Sequence, residues 1–145
     1  MKDPLFIKDN RRGSGNPACH MVKAGDFLFL AGQTPTDEDG NIVGPGDIQA
    51  QARQVFTNVR RLLGLAGCDL TSIIRLTNYL TTPMTDMEFT NKYWEVRREV
   101  FGDHYPASTG VQVAALMRPE MLIEVDVVAY APNAVIGSDA QVLNA

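Results

Sequence analysis

Two acidic residues, Glu124 and Asp126, lie two apart in the segment MLIEVDVVAY at residues 121–130. Side chains of an extended strand alternate between its faces. Leu122, Glu124, Asp126, Val128 and Tyr130 therefore share one face, and Ile123, Val125, Val127 and Ala129 share the other. A carboxylate so held can position a water or carry a proton in a hydrolytic step. Asp126 reads as a structural hydrogen-bond acceptor beside it. Other chemistry is weakly represented. Ser108 has only His20 and His104 as histidine partners and no nucleophile-elbow pattern around it, so Ser-His-Asp catalysis is not indicated. Cys19 and Cys68 form neither a close-spaced metal pair nor a disulfide framework, and no metal site is expected. Tyr93 and Trp94 fall in an amphipathic helical pattern and read as packing residues.

The elements that must hold these residues follow from local pattern. Residues 19–31, CHMVKAGDFLFLA, read as a hairpin with its turn at Ala24-Gly25-Asp26. A long loop rich in Asp and Gly follows to Gly46. Asp47 caps a helix whose stripe is Ile48, Ala52, Val55, Phe56, Val59, Leu62, Leu63 and Ala66, with Gly67 as its stop. Residues 73–80 form a strand that ends before Pro83. In the second helix, Thr85 and Glu88 make a capping box and Met84 and Phe89 a hydrophobic staple. Its buried stripe is Phe89, Tyr93, Val96 and Val100, and Gly102 ends it. Strands over 110–116 and 121–130 complete the order ββαβαββ, an α+β pattern with two helices on one face of a mixed sheet. Residues 1–133 are expected to form a single domain, and 134–145, which show no period, a loose C-terminal tail.

The chain has 145 residues, the size of one domain, with 45% hydrophobic and 21% charged residues and a formal net charge of -4. Nucleic acid is not an expected partner, because phosphate binding calls for a basic surface. Met1-Lys2-Asp3-Pro4 does not resemble a signal peptide, and no apolar run approaches the roughly 20 residues of a membrane span. A cytoplasmic protein without membrane contact is expected.

Three segments, in order, resemble the Rid (reactive intermediate deaminase, YjgF-type) family. They are Phe29-Leu30-Ala31-Gly32-Gln33 with Pro35; Gln49-Ala50-Gln51-Ala52-Arg53-Gln54 with Asn58-Val59; and Tyr105-Pro106-Ala107 followed by Val111 and Ile123-Glu124-Val125. The likeness runs from about residue 16 to residue 131. It implies a chorismate-mutase-like protomer, three of which associate as a homotrimer around a central barrel, with small-molecule clefts between subunits. It also implies hydrolysis of an enamine or imine to a carbonyl compound and ammonia, with no metal or organic cofactor. Carried over by position, Glu124 would activate the water, Gly32 would offer a backbone N–H and Asn91 would lie near the cleft.

The family's deaminases carry a substrate-binding arginine directly after the Pro-Ala pair; here that residue is Ser108. Gly110 stands where a cysteine is frequent, and Ala18 where an aromatic residue is expected. Ser108, Thr109 and Gly110 would then bind ligand through hydroxyls and backbone N–H groups. His20, on the first hairpin, reads as a residue bordering the cleft or as a surface or interface histidine. Arg118 reads as a compensating cation or as a solvated loop arginine. A non-catalytic metabolite-binding or regulatory trimer is the alternative function, and an endoribonuclease or translation-inhibitor activity, disfavoured by the acidic composition, a third.

Overall fold

The computed structural model describes residues 3–11 and 16–144. The elements are β1 (Leu5–Asp9), β2 (Met21–Ala24), β3 (Phe27–Gln33), α1 (Ile48–Gly64), a 3-10 turn (Leu70–Ser72), β4 (Ile73–Leu80), α2 (Met87–Phe101), β5 (Ala107–Gln112), β6 (Ile123–Tyr130) and β7 (Ala140–Val142). The strands form one sheet in the order β5-β4-β6-β3-β2-β1-β7. Among the described strands only β4 and β5 run parallel, and α2 is the crossover that a parallel pair requires. The expected α+β core with two helices on one sheet face spans β2 to β6. β1 and β7 lie outside the elements that the pattern predicts.

Helix α1 begins where the sequence places its cap: Asp47 Oδ1 accepts from the Gln49 and Ala50 backbone N–H groups at 3.0 and 3.1 Å. At its far end Cys68 N–H reaches back to the Leu63 carbonyl at 3.0 Å, around Gly67 at φ +69°. Helix α2 departs by one residue from expectation. Its cap is Asp86 rather than Thr85, and Asp86 Oδ1 accepts from Phe89 N–H at 3.1 Å. A carboxylate caps the orphan N–H groups as a threonine hydroxyl would, and its charge also suits the positive end of the helix dipole.

Residues 134–144 do not trail loosely. Ala134 and Ile136 pack against the core. Val135 and Gly137 donate to the Ala66 and Leu65 carbonyls at 3.2 and 2.8 Å, groups left without helical partners where α1 ends. β7 then pairs antiparallel with β1, with Ile7 opposite Val142.

The core lies between the helices and one sheet face. Ala52, Val55, Phe56, Val59, Leu62 and Leu63 of α1 are buried there with Leu28, Leu30, Leu76, Leu80, Ile123, Val125 and Val127 of the strands. Among the described residues no helix covers the other face. Across it runs an apolar row, Phe6, Val22, Phe29 and Val128, each the cross-strand partner of the next. Phe6 is 42% exposed and Phe29 45%.

One polar side chain inside the core ties α1 to the loop that leads into β6. Gln51, fully buried, accepts from Leu122 N–H at 2.8 Å and donates to the Glu120 and Gly44 carbonyls at 2.8 and 3.2 Å. Gln51→Leu should destabilise the fold by about 2 kcal/mol or more, because buried backbone groups lose their partners. Urea denaturation should show a lower midpoint at unchanged slope, and an unaltered midpoint would mean that other groups take over these bonds.

Candidate functional site

Residues of β5 and β6 sort by parity onto the two faces of the sheet. Asn78, buried on β4 beside Leu76 and Leu80, turns toward the helices. Its Nδ2 donates to Ser108 Oγ at 3.0 Å and to the Thr109 carbonyl at 2.8 Å. Tyr93 of α2 donates its hydroxyl to Asn78 Oδ1. Arg97, one turn further along α2, donates through Nη1 to Ser108 Oγ at 3.2 Å and more distantly to Asn78 Oδ1 at 3.4 Å. Burial pushes the Tyr93 phenol up to about 12, against the opposing pull of the Arg97 charge, so it stays a neutral donor. These residues line a cleft of about 430 Å³ together with Met84, Trp94, Phe101, Tyr105 and Gly110.

The opposite face holds Glu124. A side chain at Gly32 would overlap the Glu124 carboxylate, so only glycine lets that carboxylate lie against the β3 backbone. The contact depends on an irregular register between β3 and β6, which shifts between Leu30 and Gln33. Tyr79, the β4 partner of Glu124, donates its hydroxyl to Asp126 Oδ2 at 3.2 Å. Burial first, and the Asp126 charge second, raise the Glu124 carboxyl above the ordinary glutamate range. Asp126 has the structural acceptor role expected of it. It is also the chief cause of the raised Tyr79 phenol.

The anticipated site residues thus divide. Gly32 and Glu124 come together; Ser108 and Gly110 line the cleft on the helix side; Thr109, on the open face, accepts from Arg75 Nη2 at 3.1 Å. Within one chain Ser108 and Glu124 look to opposite sides of the sheet. His20 accepts the Asp9 backbone N–H on Nδ1 at 2.9 Å and lines a second cavity, of about 310 Å³, which Gly32 also borders. Arg118 spends Nη1 on the Gly40 carbonyl at 2.7 Å, joining two loops. Asn91 is exposed on α2 and does not line the 430 Å³ cleft.

Sequence reading missed Asn78, Tyr93 and Arg97. Their signals exist: a polar residue at the inward position between Leu76 and Leu80, and an arginine four residues from an aromatic on either side, Tyr93 and Phe101.

Known proteins match this fold, some over nearly the whole chain. A family model described as Endoribonuclease L-PSP matches residues 12–131. The chain belongs to this family, the Rid/YjgF family. A RutC family protein of Pyrococcus horikoshii is 38% identical over 90% of this chain and 98% of its own length. The 2-iminobutanoate/2-iminopropanoate deaminase of Bos taurus is 30% identical over 69% of this chain and 70% of its own. Among solved structures, YyfA of Yersinia pestis, a Rid family protein, superposes with a TM-score of 0.79 at 25% identity, covering 89% of this chain and all of that one.

In this Rid-family chain the raised Glu124 carboxyl has a consequence for stability. The folded protein holds that proton more tightly than the unfolded chain, whose value is near 4.5. Stability is therefore fully present below that value and is lost as pH rises through the higher folded value. Glu124→Gln, neutral throughout, should be spared this loss. The wild-type minus variant difference in unfolding free energy should fall as pH rises from below 4.5 through the higher folded value. Urea titrations across that range measure it, and a difference independent of pH would contradict the raised carboxyl.

Proposed function

We propose that this Rid-family chain is a cofactor-independent hydrolytic deaminase of a small enamine or imine metabolite, working as a cytoplasmic homotrimer with its ligand between subunits. The observation that carries the reading is the Glu124 carboxylate, half-buried, proton-retentive and pressed against the Gly32 backbone. A carboxyl that holds its proton more tightly than an ordinary glutamate is better suited both to accept and to return one. Water bonds through oxygen to the imine carbon while one of its protons passes by way of Glu124 to nitrogen. The resulting carbinolamine gives its hydroxyl proton to nitrogen by the same route, the C–N bond breaks, ammonia leaves and the carbonyl compound remains. Backbone N–H groups near Gly32 suit charge that develops on the ligand. The bovine relative's name, an imine deaminase, supports this chemistry.

Assembly follows from the same reading. A ligand that meets Ser108 and Glu124 together requires Ser108 from one protomer and Glu124 from the next. The exposed row of Phe6, Val22, Phe29 and Val128 supports association through the open sheet face, since contiguous exposed apolar surface marks contact sites. Ser108, where the family's deaminases carry arginine, favours a second reading, a metabolite-binding trimer without turnover.

Ammonia release from 2-iminopropanoate, generated in place by an amino-acid oxidase, separates the two. Wild type should accelerate release, and Glu124→Gln should lose roughly 100-fold or more while keeping the oligomeric mass of wild type by light scattering. Gly32→Ala, which must displace the carboxylate, should show a similar loss. A wild type that turns over no imine would leave the binding reading in place of the deaminase, and a fully active Glu124→Gln would remove Glu124 from the proton transfer.

A further inference from the structure

Arg97 is a cation without an anion. Among the described residues it makes no ion pair: Nη1 is shared between Ser108 and Asn78, Nε–H is buried without an acceptor, and Nη2 makes no hydrogen bond. The guanidinium is nonetheless held in place, stacked 5.2 Å from the Phe101 ring centroid and 5.9 Å from that of Tyr93. Arg98 also lines this cleft, and among the described residues no Asp or Glu does, although the chain as a whole carries a formal net charge of -4.

Ser108, beside Arg97, ends in a donor. Ser108 Oγ already accepts from Asn78 and from Arg97, which leaves its own proton to donate outward. Asn78 accepts from Tyr93 and gives both its N–H groups to β5. A free hydroxyl donor beside an unpaired planar cation is complementary to an acid, and a planar carboxylate fits a guanidinium best. Met84, Trp94, Tyr105 and Pro106 form the apolar part of the wall, which His104, its Nε2 on the Ile73 carbonyl at 2.7 Å, also lines.

We propose that Arg97 is the carboxylate-capturing residue of this chain, holding a small organic acid between α2 and β5 with the acid's apolar substituent against Met84, Trp94 and Tyr105. Naming that acid a 2-imino acid rests on the deaminase reading; the capture of a carboxylate does not. Arg97 thus sets which ligands enter.

Trp94 is the only tryptophan of the chain and lies in the cleft wall, so its fluorescence reports binding directly. The probes are 4-methyl-2-oxopentanoate, pyruvate and the primary amide of each. The branched acid should give a saturable change in wild type and bind more tightly than pyruvate. Its amide, and the acid with Arg97→Gln, should bind roughly 10- to 100-fold more weakly. Arg97→Gln combined with Ser108→Arg, which returns a cation to the same wall, should recover binding of the acid. Equal affinity for acid and amide, a folded Arg97→Gln that binds the acid like wild type, or no saturable response to either acid would overturn the proposal. Should Arg97→Gln fail to fold, the acid and amide comparison and its loss with added salt, both made on wild type, decide the matter. Charge-dependent acid binding without imine turnover would count against the deaminase reading and for Arg97; turnover with equal affinity for acid and amide would do the reverse.

Discussion

A strand can show each residue to only one face of its sheet, and the arrangement of this protein follows from that constraint. Asn78 and Ser108 turn toward α2 while their sequence neighbours Tyr79 and Thr109 turn away, and Glu124 and Asp126 share the face of the latter. The sheet therefore carries two chemical surfaces back to back. One is roofed by a helix and furnished with donors. The other is open, carries the acids, and is bordered by aromatic side chains.

The roofed surface is organised by a buried amide. Asn78 takes the Tyr93 hydroxyl from α2 and binds both Ser108 and the Thr109 carbonyl on β5, so one side chain fixes helix and edge strand relative to β4. A polar group left unpaired at this depth would be costly. A satisfied one instead rigidifies its surroundings. That rigidity holds the wall of the cleft at a parallel strand pair, where the ladder itself is slightly weaker than an antiparallel one.

Much of this is legible in the sequence because it is local. The period-two pattern of β6 gives the shared face of Glu124 and Asp126, and the three- and four-residue spacing of α1 gives its buried stripe. What local pattern does not carry is pairing at a distance. The fit of Glu124 against Gly32 depends on a register shift between two strands about 90 residues apart in sequence, to which no short-range rule refers. β1 and β7 escape notice because both are short, and β7 also finds its partner, β1, at the other end of the chain. Arg97 was hidden by type: on an amphipathic helix an arginine reads as solvent-facing until the strand that it overlies is known.

The terminal strand has an effect on how copies of the chain meet. Unpaired strand edges are templates for adding further strands, and short edge strands are poor ones. β7, three residues long, blunts one end of the sheet, while β5 leaves the six residues Ala107–Gln112, none of them charged, at the other. An isolated protomer is thus polar in its stickiness: unwanted strand addition should begin at β5, and whatever covers that edge in the assembled protein also guards it against aggregation.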